Sequence, residues 1–343
     1  MQVTMIKSHH KQPVPLILDT DMGNDIDDAL ALAMIHTLQS RGECELLGVV
    51  SSKDNPYSPV YIDVVNTFYG RGGIPIGTVR DGVTPDDRTF IKPIATASDS
   101  GATRYPRTYQ PEQYEDAVPL LRRLLASAAE KSVVMVMIGF STNMARLLAS
   151  GPDRHSGRNG LDLFAAKVKR VVAMAGNFSD EVQRNPSLDT REYNIHRDVP
   201  AAVDFFTRCP ASITFCGYEV GAAMLYPSDS IDTDYNWAEH HPVAEAYRCD
   251  MQMPYERPLW DPATVMEAVR PGSGYFEVSP PGRVVVDGEG IALFRPEPAG
   301  PHKYMKITPD RVAPAVDEIV SLCASAPAPR RKPGVSVTQA TGH

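Results

Sequence analysis

The chain has little to offer a polyanion: 34 Lys and Arg stand against 42 Asp and Glu, a formal net charge of -8 over 343 residues. Binding nucleic acid or an anionic membrane face draws on clustered cations, so small-molecule chemistry is the better starting class. Cysteine is also scarce. Cys44, Cys209, Cys216, Cys249 and Cys323 are scattered, odd in number and without a C-x-x-C pair, which argues against a disulfide framework or a zinc knuckle and fits a reducing compartment. No stretch approaches the roughly 18 apolar residues of a spanning helix. The opening MQVTMIKSHHKQP lacks the apolar core of a signal peptide, so a cytoplasmic location is expected. No repeat of fixed period is visible.

What is present is enough apolar material for a large core, 43% of residues against 22% charged. Short apolar runs recur at Leu16 to Leu18, Leu46 to Val50, Ile74 to Ile76, Val133 to Ile138, Val171 to Met174 and Ile213 to Cys216, with helical patterns between them. Such alternation predicts an α/β fold: an open, mostly parallel, Rossmann-like sheet flanked by helices. Near the end, RVVVDGEGIALF places two apolar runs about a Gly-rich turn, which predicts a C-terminal antiparallel hairpin on the sheet's side. One domain is expected over 14–323, with an N-terminal arm (1–13) that includes His9 and His10, and a C-terminal tail (324–343) without periodicity. The Pro- and Gly-rich stretch from Gly77 to Pro111 is long enough for a functional loop.

The densest chemistry follows the first run. LILDTDMGNDIDDALAL places Asp19, Asp21, Asp25, Asp27 and Asp28 within ten residues, where a strand should end and a helix begin, with Asp27 or Asp28 supplying the helix start. That edge of an open α/β sheet is the usual ligand crevice, and five mutually repelling carboxylates are naturally neutralised by a hard divalent cation, calcium or magnesium. The blander alternative is a solvated acidic turn, which has no need of acids on both the strand and the helix side. Histidine and cysteine are absent from the cluster, which disfavours zinc.

These residues resemble the inosine-uridine nucleoside hydrolase family, whose signature is an Asp-x-Asp-x-Gly-x-Asp-Asp turn; here two extra residues separate Gly23 from Asp27-Asp28. Four further patches follow in the family's order, so that the resemblance spans roughly residues 14 to 322. ELLGVVSSKDN is similar to the second strand and its loop and places Asn55 on an active-site asparagine. VVMVMIGFSTNMARLL is similar to a strand ending in a Gly-x-x-Thr-Asn turn, which places the Ile138 main-chain carbonyl among the metal ligands. VVAMAGNF with REYNIHRDVPAA aligns Met174, Asn177, Glu192 and Asn194 with sugar-contacting positions, and PLWDPATV makes Asp261 the distant metal carboxylate. Taken singly these residues read as turn formers or solvated charges; their joint order is what carries weight.

The resemblance implies N-glycosidic cleavage of ribonucleosides with Ca2+ as cofactor. Asp21, Asp28, Asp261 and the Ile138 carbonyl would hold the ion, and Asp27, Asn55, Met174, Asn177, Glu192 and Asn194 the nucleoside. Asp21 would take the proton of the attacking water. Many relatives carry histidine immediately before the last metal aspartate. Trp260 stands there instead, able to stack on a flat base and, by resemblance, pointing to purines. Tyr218, His240, His241, Tyr247, Tyr255, Glu256 and Arg257 are further candidates for the base pocket, and His196 reads as structural. A small-molecule nucleoside is the expected partner, with no nucleic acid or membrane, in a homo-oligomer of two or four chains. Two other readings remain. LILDTDMG also fits a haloacid-dehalogenase-type phosphatase with Asp19 as nucleophile, which leaves Asp27, Asp28 and Asp261 without roles. A non-catalytic nucleoside or sugar binder on the same scaffold is the other.

Overall fold

The computed structural model describes residues 12–83 and 90–327. Most of the expected arm and tail, with His9 and His10, lies outside them; of the tail, Ala324 closes a helix, Pro309–Ala324. Eleven strands form one sheet: β1 Val14–Thr20, β2 Cys44–Lys53, β3 Ile76–Val83, β4 Glu115–Asp116, β5 Val133–Ile138, β6 Val168–Met174, β7 Ile213–Cys216, β8 Glu277–Val278, β9 Gly282–Val286, β10 Ala292–Pro296 and β11 His302–Lys306. In space they run β10-β9-β11-β7-β6-β5-β1-β2-β3-β4, with β8 beside β11. The run from β11 through β4 is parallel, and β8, β9 and β10 pair antiparallel. The α/β architecture and the C-terminal hairpin expected from the sequence are both present.

The third strand departs from expectation. It begins at Ile76, where the predicted run ended, and continues through Val83, so the front of the supposed Gly77-to-Pro111 loop is strand. Its GTVRDGV sequence is polar because the strand's second half is not buried, a position at which alternation carries no apolar signal.

Side-chain alternation along the strands divides the core in two. Leu16, Leu18, Val134, Val136, Ile138, Val172 and Met174 face a layer built from the helices Asp27–Ser40, Trp260–Val269 and Pro309–Ala324. Ile17, Met135, Met137, Val171 and Ala173 face the opposite layer with Leu147, Phe164 and Phe205. Each buried Val, Leu, Ile, Met or Phe side chain among these stabilises the fold by about 1.5–3 kcal/mol through area removed from water. The helix Asp27–Ser40 is buried on nearly all sides, as a helix between a sheet and two other helices must be.

The chain runs outward from β1 through β2, β3 and β4, then returns to β5 on the other flank of β1. The strand order therefore reverses between β1 and β5, and at such a reversal the connections diverge to opposite faces and leave a crevice beyond the carboxyl ends. Thr20 closes β1 level with Ile138 of β5. Asp21 and Gly139 are the first residues into the crevice.

Candidate active site

A cleft open to solvent occupies that crevice, and Asp21, Asp27, Asp28, Ile138, Met174, Glu192, Asn194, Trp260 and Asp261 all line it. Asn24, Asp25, Tyr193 and Tyr218 complete the lining. The structure thus brings together the three carboxylates, Asp21, Asp28 and Asp261, and the main-chain carbonyl residue, Ile138, expected around one cation, with most of the expected sugar and base contacts. It does not bring in Asn55 or Asn177. Asn55 accepts from the Tyr57 amide at 2.9 Å and borders a separate hollow with Ile91 and Lys92. Asn177 accepts from Ser179 Oγ at 2.9 Å.

Asp19 is fully buried and absent from the cavity wall. With period two it shares the Ile17 side of β1, where the Asn143 amide donates to it at 3.0 Å. The phosphatase reading needs this residue at the mouth as nucleophile, so its sidedness removes that reading. Thr20, on the other side, donates its hydroxyl to Asp28. Gly139 is required where it stands: a Cβ there would lie 2.4 Å from both the Asp21 nitrogen and Ser52 Oγ. Such contact would drive apart the two strand ends that present Asp21 and Ile138.

Asp27 and Asp28 open their helix, but the capping position is Ile26 and makes no side-chain bond. This corrects the expectation of an aspartate cap: both side chains turn into the cavity instead, still favoured there by the helix's partial positive end. Asp27 accepts from the Asp261 amide at 3.3 Å and from Arg257 Nε at 3.4 Å, and Arg257 also binds Asp25. On the far wall Glu192 caps the helix Tyr193–Arg197, accepting from the amides of Asn194 at 2.7 Å and Ile195 at 3.1 Å and from that of Gly176 at 3.2 Å. Asn194 Nδ2 donates to the Met174 carbonyl at 3.1 Å.

Electrostatically the mouth is short of positive charge. Burial, and then the neighbouring Asp27, Asp28 and Asp21, push Asp261 well above the usual carboxylate range. Burial and then Asp21 and Asp27 do the same to Asp28. Burial raises Asp21 to about 7 and Asp27 to about 6, Arg257 opposing the latter. Glu192 is likewise raised by burial to about 7 despite its three amide donors.

The donor chemistry, carboxylate and carbonyl oxygen with no thiol or imidazole in the cavity wall, suits a hard divalent cation. As they stand, among the described residues, no three acidic, thiol or imidazole groups close around a single point. One oxygen each of Asp21 and Asp28 is engaged by Asn24 and Thr20.

The outer wall is aromatic. Trp260 donates its indole N–H to the Tyr218 carbonyl at 2.8 Å, their rings lie 5.4 Å apart, and the Arg257 guanidinium sits 5.2 Å over the indole. Gly221 has no room for a Cβ, which would fall 2.1 Å from Trp260 Cδ1. Of the other base-pocket candidates, His240 pairs with Glu245 at the surface and His241 is buried among aromatic rings. Tyr247 and Tyr255 stack on each other at 4.4 Å, and none of these four, nor Glu256, lines the cavity. His196 is exposed. Sequence reasoning left unassigned Asn24 and Asp25, which the insertion flagged, and Tyr193 and Lys53, which nothing flagged.

A carboxylate-rich crevice at the carboxyl ends of a parallel sheet, walled by aromatic rings, defines an α/β enzyme acting on a small polar molecule with a flat hydrophobic part. The family model described as inosine-uridine preferring nucleoside hydrolase matches residues 16–312, and the chain belongs to that family. It is therefore an N-glycosyl hydrolase of ribonucleosides. It is 30% identical over 277 residues to the pyrimidine-specific ribonucleoside hydrolase RihA of Shewanella sp. strain ANA-3, covering 75% of this chain and 78% of that one. Among solved structures it is similar to the purine-preferring ribonucleoside hydrolase of Gardnerella vaginalis, with a TM-score of 0.65, 18% identity and coverage of 90% and 98%. It also resembles the inosine-uridine preferring nucleoside hydrolase of Bacillus anthracis, with a TM-score of 0.63, 16% identity and coverage of 90% and 99%.

Proposed function

We propose that this enzyme cleaves ribonucleosides to free base and ribose with calcium as its cofactor, and that it prefers purine bases. The observation that carries the reading is the meeting of Asp21, Asp28 and the Ile138 carbonyl with Asp261, some 240 residues away in sequence, on the wall of one cavity. These four would hold the ion, which when bound acidifies a coordinated water and anchors the sugar hydroxyls.

The protein's own groups account for the remaining steps. Asp27 and Glu192 hold the ribose by charge-assisted hydrogen bonds and Asn194 by its neutral amide, and the two acids stabilise the positive charge that develops on the sugar as the glycosidic bond breaks. Asp21, on the cavity wall just past the end of β1, accepts the proton of the attacking water. The base leaves against Trp260 and Tyr218, whose rings offer a broad surface for stacking. That breadth supports a purine, in contrast to the pyrimidine specificity in the name of the Shewanella relative. Among the described residues no helix is long and apolar enough to cross a membrane, and a cytoplasmic homo-oligomer is the setting we infer.

The test is a reducing-sugar assay on inosine, guanosine, adenosine, uridine and cytidine, with calcium and with chelator. Purine nucleosides should be turned over fastest, with activity lost on chelation and restored by calcium. Faster pyrimidine turnover would overturn the preference, and full activity in chelator would overturn the metal. Saturable binding with no sugar released would leave only a nucleoside binder.

A further inference from the structure

We propose that Lys53 is a positioning residue for the Asp21 carboxylate and acts through Asn24, the first of the two residues inserted in the acidic turn. The proposal rests on Asp21 being the base. Lys53 ends β2, one strand over from β1, and its side chain is 1% exposed. A lysine so placed needs acceptors, and its ammonium donates to the Gly23 carbonyl at 2.9 Å and to Asn24 Oδ1 at 2.8 Å. From its other side the Asn24 amide donates through Nδ2 to Asp21 Oδ2.

The order of donors fixes the amide. An ammonium can only donate, so the amide must turn its oxygen toward Lys53 and its NH2 toward Asp21; a flipped amide would set NH2 against NH3+ and oxygen against carboxylate. Lys53 therefore selects the one orientation in which Asn24 grips Asp21. Oδ2 of the carboxylate is held, and Oδ1 is the oxygen left for the water. The bond to the Gly23 carbonyl fixes the turn itself, where Gly23 has a φ of +106° and a side chain would strike Ile91. The resemblance had placed an amide at Asn55 for this site. The amide that meets Asp21 is carried instead by the insertion, and Lys53 is what orients it.

The full-length parent, Asn24→Ala, Lys53→Met, the double variant and Asp21→Asn should be compared with saturating calcium, using the nucleoside turned over fastest in the panel above. Asn24→Ala and Lys53→Met should each lower kcat about tenfold to a hundredfold, as misplacement by an ångström does. KM should stay within about threefold, and the double variant should be no slower than the worse single, because the two residues form one unit. In the cation-free protein, the Asn24 side-chain amide protons seen by NMR should exchange slowly in the parent and freely in Lys53→Met. A kcat within about twofold of the parent in Asn24→Ala, or losses that multiply in the double variant, would overturn the proposal; should Lys53→Met not fold, Asn24→Ala decides alone. Turnover in Asp21→Asn would instead remove the reading of Asp21 as base, and this proposal with it.

Discussion

The two ends of the helix Asp27–Ser40 bury ionisable groups in opposite ways. At its start, Asp27 and Asp28 join Asp21 and Asp261 in a mouth where carboxylates outnumber the cations beside them, Lys53 and Arg257. Towards its end, His36 stacks on Tyr69 at 5.0 Å, and the ring of Tyr69 meets His241, itself packed edge-on against Phe68, Tyr235 and Trp237. There burial lowers both imidazoles to about 3, so they stay neutral and act as polar core residues. Burial disfavours charge at both ends. The histidine nest has relaxed to neutrality and full packing, whereas the acidic mouth keeps groups whose charged forms repel one another.

If that contrast holds, activity and stability separate by location. At the mouth, Asp21→Asn or Asp28→Asn should lower turnover at least about a hundredfold, the scale of one lost catalytic group. The same change should leave the melting temperature of the cation-free protein level or higher, because an amide of the same shape removes one charge from a repelling set. Kinetics and thermal melts of the same samples decide. Near-normal turnover in a folded variant would end the catalytic assignment, and a clear drop in melting temperature would end the comparison.

At the nest the expectation reverses. His241 Nδ1 accepts from the amides of Val243 at 3.2 Å and Ala244 at 3.4 Å, so its proton sits on Nε2 and points to Tyr69 Oη at 3.4 Å. His241→Ala leaves a hole between four rings and strips a helix start of its acceptor, which should cost about 2 kcal/mol of folding stability. Since the residue does not line the cavity, kcat of the folded fraction should stay within about twofold. Denaturant melts with kinetics on the native fraction measure both. A loss of kcat at unchanged stability would show that the nest belongs to the site.

The same contrast explains what the sequence made legible. The acidic turn, the strand endings at Ile138 and Met174, and Asp261 were readable because type and order are local properties that survive in the linear chain. Lys53 was not, and Arg257 was read only as a base-pocket candidate and not as the partner of Asp25 and Asp27: a lone cation reads as a solvated charge, and only the folding of a distant acidic segment against it makes burial tolerable. Asn55 shows the converse. Its sequence neighbourhood matched, yet Lys53 turns inward just before it, and its side chain closes a local turn onto Tyr57. The insertion marked a departure without indicating its content, because two added residues can bulge into solvent or, as here, fold back onto the site.

The smallest effect concerns pH. In the cation-free protein the mouth carboxylates hold their protons to about 6 and 7, above their ordinary value of 3.8. Over that window the native state binds more protons than the unfolded chain, so this contribution to stability falls as pH rises from about 4 to 7. The buried histidines run the other way. Lowered from 6.5 to about 3, they leave the unfolded chain with more protons below pH 6.5, and their contribution is lost as pH falls from there. Protons and calcium compete for the same oxygens, so the apparent calcium affinity, titrated calorimetrically, should weaken steadily as pH falls from 8 to 6, with protons released as the ion binds. Saturating calcium should flatten the mouth's slope in the stability profile and leave the histidine slope unchanged. Calcium affinity that stays level down to pH 6 would mean that the mouth is already relieved without a ligand, and the distinction between the two ends of the helix would lose its physical basis.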